Sequence, residues 1–246
     1  MKHPLSKTAL VSFTIALLSM IVAITAGVGT RFEWWHFSTG FIVLRWAVYA
    51  ATLSLVLSLF GAYIIRPNGQ RRGAMWICLA LAGALTVVIA PLSWLHTARS
   101  VPPIHDISTD TQNPPPFIAV VPLRDKASNP VEYGGPTIAA QQRQAYPDLE
   151  PLMLSLSEQQ IFNRATKVIN NMGWHIITAD PATGRIEATD TTFWFGFKDD
   201  IVIRIMSDHN GTRLDIRSLS RVGRSDAGTN AKRIRNFMKL MKNANL

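Results

Sequence analysis

The chain contains 246 residues and carries a formal net charge of +9, yet only 17% of its residues are charged and 48% are hydrophobic. This charged fraction is low for a soluble protein. About half of the hydrophobic residues lie in the first 96 positions, which are less than two fifths of the chain. The composition therefore predicts a membrane-inserted region followed by a soluble one.

Three apolar runs in the membrane-inserted region predict transmembrane helices. They cover about residues 8–30, 43–65 and 74–95. Each contains about 20 residues, the length that a helix needs to cross a hydrocarbon core of roughly 30 Å. A secretory signal peptide is the alternative for the first run, with Lys2 and Lys7 as its basic region. Because the run is longer than a signal core and no small-x-small cleavage motif follows it, we expect the helix to be retained.

Lysine and arginine are unevenly distributed among the short loops. The N-terminus contains Lys2 and Lys7, and the second loop, residues 66–72, contains three arginines. The first loop contains Arg31, offset by Glu33. Since Lys and Arg accumulate on the cytoplasmic side, we expect a multi-pass protein of the bacterial inner (plasma) membrane. Its N-terminus would be cytoplasmic and its C-terminal domain periplasmic.

Arg45 falls inside the second predicted span. A buried cation at this depth would need a partner or a substrate. The favoured interpretation is an arginine that snorkels to the outer interface, near Glu33. Trp34, Trp35 and Trp94 are expected to form an aromatic belt at that interface.

The only cysteine, Cys78, falls in the third span. The soluble region therefore has no disulfide, no cysteine nucleophile and no thiolate metal site. We expect neither a metal nor a cofactor.

Residues 97–151 form a proline-rich connection that we expect to wrap the soluble domain. Prolines spaced in this way interrupt helices and favour extended chain along a surface. The apolar stretch 117–121 is consistent with one edge strand.

Residues 152–246 have the periodicity of a folded domain. Ser157–Gln160 resembles a capping box at the start of a helix. Four strands follow, and Asn210-Gly211 predicts a hairpin turn between the last two. Asp226 or Ser225 can cap a final helix. The sequence therefore predicts an α+β domain of two layers, ordered α-β-β-β-β-α, with two helices covering the apolar face of an antiparallel sheet.

The basic residues of the soluble region are concentrated near its C-terminus. Residues 97–212 contain nine Lys/Arg against thirteen Asp/Glu, whereas residues 213–246 contain nine against two, a net charge of +7. The candidate anion-binding residues in the second stretch are Arg217, Ser220, Arg221, Arg224 and Asn230. Arginine guanidinium groups and the free N–H groups of a helix N-terminus both attract phosphate or carboxylate. In the structural alternative, Arg221 and Arg224 pair with Asp215, Asp226 or the proline-rich connection.

A second cluster consists of His105, Asp106 and Asp110. Imidazole and carboxylate groups can bind a divalent metal or transfer protons, so an envelope hydrolase using these three residues is the alternative function. However, no HExxH or comparable ligand spacing occurs, and Asp and Ser also favour turns.

The aromatic run Thr191–Phe197 borders the third predicted strand. Such a run can line a lipid-sized groove or lie against a bilayer. A place in the core of the domain is the favoured interpretation.

Three stretches resemble a known family. They are Pro103–Asp110 (PIHDISTD), Gly184–Asp200 (GRIEATDTTFWFGFKDD) and Arg217–Asn230 (RSLSRVGRSDAGTN). They are similar to the bacterial family called domain of unknown function 1499, and the resemblance covers roughly residues 100–240. Its members often have N-terminal membrane segments. The resemblance supports the domain boundary and implies no activity, substrate or catalytic residue.

The membrane anchor, the basic C-terminal stretch and the lack of a catalytic signature favour a binding or assembly module of the cell envelope over an enzyme. Its expected partners are the membrane and an anionic ligand, lipid headgroup or envelope protein. No nucleic-acid partner is expected, because that role conflicts with a periplasmic domain.

Overall fold

The computed structural model describes residues 4–65, 72–125, 128–209 and 211–243. The chain divides into two compact units. The first contains residues 1–96 together with Phe193–Gly196, and the second contains the rest. Lys2, Arg66, Arg71 and Asn210, on which parts of the orientation and hairpin predictions depend, lie outside the described residues.

Three long helices dominate the first unit: α1 (Lys7–Arg31), α2 (Phe37–Ile64) and α3 (Ala74–Ser100). Their mean hydropathies are 2.3, 1.8 and 2.3, so each is long and apolar enough to cross a membrane. The second helix begins six residues before the predicted span, and the third continues five residues beyond it.

Small residues line the contacts between these helices. Ala16, Ala51, Ala80 and Ala84 are buried in one cluster, and the Ser54 hydroxyl donates a 2.7 Å hydrogen bond to the Ser12 carbonyl oxygen. Large apolar side chains point outward instead. Examples are Leu17, Ile24, Leu53, Leu59 and Ile89. Close packing through small residues with bulky residues outside is the pattern of helices that associate within lipid.

Charged and aromatic residues lie near the helix ends. Trp34 and Trp94 are more than half exposed, as members of an interfacial belt would be. Arg45 is exposed on α2, and no described residue forms an ion pair with it.

Phe193–Gly196 packs within the first unit and not in the core of the second. The Trp194 indole N–H donates to the Ile24 carbonyl oxygen (3.4 Å), and the Phe195 ring lies 5.1 Å from the Phe41 ring. Phe193 is 91% exposed. The favoured prediction of a core role for this run is therefore wrong for these four residues.

The second unit contains an antiparallel sheet. Its strands are β1 (Asp106–Ser108), β2 (Leu152–Leu154), β3 (His175–Asp180), β4 (Arg185–Thr191), β5 (Lys198–Asp208) and β6 (Gly211–Ser220). The order is β1-β6-β5-β4-β3, and β2 also pairs with β6. The predicted α+β fold with an antiparallel sheet is confirmed. The structure adds β1 and β2, two strands of three residues each.

Two helices cover the apolar face of the sheet: α5 (Glu158–Asn171) and α6 (Thr229–Lys242). Ser157 and Gln160 form the predicted capping box at the start of α5. Buried side chains from both helices meet those of the strands in one core. Its largest members are Ile161, Ile169, Ile186, Ile203, Ile216, Ile234 and Phe237.

The other face of the sheet carries charged residues and is covered by the proline-rich connection. Phe117 and Val120 from the connection pack against Val202 and Leu219. The Glu187 carboxylate accepts hydrogen bonds from the backbone N–H groups of Ile118 (2.9 Å) and Val120 (3.0 Å). Both faces of β4 and β6 and of the first part of β5 are therefore largely buried, whereas the edge strand β3 is not.

The connection also contains a helix, α4 (Gly135–Ala145), where the proline spacing predicted extended chain. Pro136 lies in the first turn of α4, where a backbone N–H has no helical acceptor, so it does not interrupt the helix. The buried Gln142 side chain attaches α4 to β1, because its amide donates to the Ser108 carbonyl oxygen (2.6 Å) and accepts from the Ser108 N–H (2.9 Å).

Candidate functional site

Arg217 lies in the interior of the second unit. Its guanidinium group forms a two-point ion pair with the Asp106 carboxylate, with N–O distances of 2.9 and 2.7 Å. It also donates to the carbonyl oxygens of Pro115 and Val131. Burial raises the pKa of the Asp106 carboxyl, although the hydrogen bond and charge of Arg217 oppose this shift. Arg217 therefore fastens the proline-rich connection to β6 and leaves little of its surface for a ligand.

Arg221 is also satisfied internally. Its Nη2 lies 2.8 Å from the Asp200 carboxylate, which Arg124 shares, and its Nη1 donates to the Leu123 carbonyl oxygen (2.9 Å). The structural alternative anticipated a partner in the connection, and Leu123 supplies it. The acidic partner is Asp200 and neither Asp215 nor Asp226.

Ser220 and Asn230 take part in a buried polar network at the start of α6. The Asn230 amide donates to the Ser220 hydroxyl (3.0 Å) and to the His105 carbonyl oxygen (2.9 Å). The N-cap residue of α6 is Gly228 and not Asp226 or Ser225 as predicted, but the Asp226 carboxylate accepts from the backbone N–H of Asn230 in the first turn (2.7 Å). The pKa of Asp226 is raised by its burial.

Arg224 differs from the other four candidates because its side chain is exposed, and no described carboxylate pairs with it. The five-residue anion site stays a prediction. Of these five candidates, Arg224 alone exposes a positive charge that no carboxylate of the described residues pairs with.

The structure gives different partners to His105, Asp106 and Asp110. His105 Nδ1 lies 3.3 Å from the Arg224 carbonyl oxygen, whereas Asp106 pairs with Arg217. Asp110 binds two arginines and accepts from the backbone N–H groups of the turn that follows it. The described residues contain no group of three His, Cys, Asp or Glu that could hold a metal ion.

Ion pairs on the covered face of the sheet were missed at the sequence level. Asp215 on β6 contacts Arg204 on β5 at 2.8 Å and Arg213 on its own strand at 3.1 Å. Asp110 from the connection joins both arginines. The available signal was the alternation of Arg213, Asp215 and Arg217 along β6, which places all three on the face opposite the two covering helices.

The outer face of α6 carries exposed lysines, in contrast to the paired arginines of the sheet. Lys232, Lys239 and Lys242 are exposed, and no acidic partner for them occurs within the described ranges. The helix has no acidic residue of its own. The opposite face buries Ile234 and Phe237.

A family model of proteins of unknown function, DUF1499, matches residues 106–241, more than half of the chain. The chain belongs to the DUF1499 family. The DUF1499 match begins at the first residue of β1 and ends within α6, so it includes all six strands and excludes the three long helices. No curated protein sequence matches the chain significantly.

Proposed function

We propose that this DUF1499 protein is a membrane-anchored binding module of the cell envelope whose α6 surface contacts anionic lipid headgroups. The α6 surface consists of Arg224, Lys232, Lys239 and Lys242. The observation that carries the proposal is the exposure of these four cations without carboxylate partners among the described residues, next to a sheet whose arginines are paired.

The spacing of the lysines places them along one stripe of the helix. Lys232 and Lys239 are seven residues apart, or about two turns, and Lys242 follows three residues later. Since α6 rises about 1.5 Å per residue, the stripe is about 15 Å long. A straight row of this length can contact several headgroups at once.

Anionic headgroups are the partner that this surface fits best. Each Lys or Arg near an anionic bilayer contributes about 1 kcal/mol of attraction, which decays within a Debye length. Attachment to the bilayer also gives the module a high effective concentration of headgroups. The other candidate partners are a soluble anion and an envelope protein. Native mass spectrometry distinguishes them from a lipid headgroup.

The cellular location is part of the same proposal. Lys7 at the N-terminus and Arg72 before α3 support a cytoplasmic position for that end of the helices. With three spans, the second unit would lie in the periplasm of a bacterial cell, attached to the inner membrane.

Native mass spectrometry of the full chain in detergent tests the headgroup contact. A short-chain phosphatidylglycerol is added, and wild type is compared with a Lys232→Gln, Lys239→Gln variant. We expect the variant to lose phosphatidylglycerol adducts, because two charge contacts are removed. A Lys167→Gln, Lys198→Gln variant changes the net charge equally at exposed lysines elsewhere and should retain the adducts.

Equal adduct intensities in all three proteins would contradict the proposal. If added inorganic phosphate forms adducts and phosphatidylglycerol does not, the ligand of the α6 surface is a soluble anion and not a lipid headgroup. If a protein copurifies with wild type and with the control but not with the Lys232→Gln, Lys239→Gln variant, the partner of the α6 surface is that protein and not the lipid.

A further inference from the structure

A cleft of about 370 Å³ lies beside α4 in the second unit. Pro136, Ala139 and Arg143 contribute one face of α4, and Thr111 and Tyr133 contribute facing walls. The volume is within the usual range for small-molecule sites, at its lower end. The cleft is separate from the α6 surface, since none of its lining residues belongs to α6.

The walls of this cleft are held in place without a ligand. Gln142 attaches α4 to the backbone of β1 through two hydrogen bonds. The Tyr133 ring lies 5.5 Å from the Arg217 guanidinium carbon, and Arg217 is itself fixed by Asp106. A ligand entering the cleft would therefore meet a largely preformed site, which lowers the entropic cost of binding.

Arg143 supplies an unmatched positive charge. It is exposed and donates a 3.0 Å hydrogen bond to the Thr111 hydroxyl, but no carboxylate in the described part of the chain lies within ion-pair distance. None of the described residues that line the cleft is acidic. A neighbouring cleft of about 380 Å³ shares Arg143 but is also lined by Arg213, Asp110 and Glu150, so its charges balance. An anion is therefore favoured in the first cleft over the second.

Tyr133 contributes to the wall of the cleft. Its hydroxyl oxygen is buried, so it offers no surface to a ligand, and it has no hydrogen-bond partner within the described residues. Burial, with the charge of Asp106, raises the pKa of Tyr133 to about 12, so the hydroxyl stays protonated at neutral pH. The contribution of Tyr133 to the cleft is therefore apolar.

We propose that the cleft beside α4 binds a small amphipathic anion. A single carboxylate or phosphate group pairs with Arg143, and the apolar part lies against Pro136 and Ala139. This site is distinct from the lipid-contacting α6 surface and does not depend on it.

Isothermal titration calorimetry of the full chain in detergent tests the site with two probes, butyrate and glycerol 3-phosphate. We expect saturable binding of at least one probe, and the difference between them identifies the preferred anion. Arg143→Gln should weaken binding at least about tenfold, because a charge-assisted hydrogen bond is lost. Arg235→Gln, a control at an exposed arginine of α6, should bind as wild type does.

Tyr133→Phe is a second control for the contribution of Arg143. Because the hydroxyl is buried and has no partner among the described residues, its removal should leave both the unfolding temperature and probe binding close to those of wild type. The Lys232→Gln, Lys239→Gln variant should keep full affinity for the probe, so loss of the lipid contact and loss of this site are distinguishable. The proposal is overturned if wild type binds neither probe saturably, or if Arg143→Gln binds as tightly as wild type.

Discussion

At the residue level, Arg217 lies between two backbone carbonyl groups, the rings of Phe117 and Tyr133, and the Asp106 carboxylate. Removing one member of such a buried pair leaves the other charge without compensation. The sequence predicted that Arg217 belongs to a site for an anionic ligand, and that site stays a prediction. The carboxylate that Arg217 contacts is the protein's own Asp106, and only the fold brings residues 106 and 217 together.

We predict that Arg217→Met lowers the free energy of unfolding by about 3–5 kcal/mol, because Asp106 is left buried and unpaired. Arg235→Met breaks the exposed pair with Asp148 and should cost less than about 1 kcal/mol. Urea unfolding of the full chain in detergent, followed by near-ultraviolet circular dichroism, measures both. Asp106→Asn added to Arg217→Met should recover part of the loss, and similar costs for the buried and exposed pairs would contradict this account.

At the level of secondary structure, the regular elements of the second unit were predictable where local signals were strong. The capping box and apolar period identified α5, and the alternation of apolar and polar residues identified β5 and β6. Strands β1 and β2 contain three residues each, too few for a period to emerge, and their identity comes from pairing with β6. Helix α4 was missed because its proline lies in the first turn, where it is tolerated.

The capping box gives a prediction for α5. Ser157→Ala removes the side chain that accepts from the Gln160 N–H and should cost about 1 kcal/mol. Ser155→Ala, at a nearby exposed position, is the control and should be close to neutral. The shift in the urea midpoint of the full chain measures both changes, and equal shifts would show that the cap contributes no stability.

At the level of the whole molecule, the three apolar helices were predictable from length and hydropathy, because lipid imposes both requirements on any spanning helix. The position of Phe193–Gly196 could not be predicted, because an aromatic run is equally compatible with a protein core, a lipid surface and a contact with a helix. The distribution of Lys and Arg in the loops predicts the orientation of the helices across the membrane.

Orientation is testable by single-cysteine labelling in bacterial cells after replacement of the native Cys78 by serine. Ala182→Cys places a thiol in an exposed turn of the second unit, and Lys7→Cys places one at the start of α1. We expect a membrane-impermeant maleimide to label the first after the outer membrane alone is permeabilised, and the second only after lysis. The reverse pattern would place the second unit in the cytoplasm.

The ion pair between Asp106 and Arg217 joins positions 111 residues apart. Strands β1 and β2 both pair with β6, which is the last strand in chain order. During synthesis, Asp106 therefore lacks its ion-pair partner, and β1 and β2 lack the strand they pair with, until β6 has been made. Before then, the proline-rich connection can already contact Glu187 on β4 and Asp200 and Val202 on β5. Domains whose contacts join residues far apart in sequence fold slowly. The nascent second unit thus passes through a long interval in which its central strand is missing and proteases and chaperones have access to it.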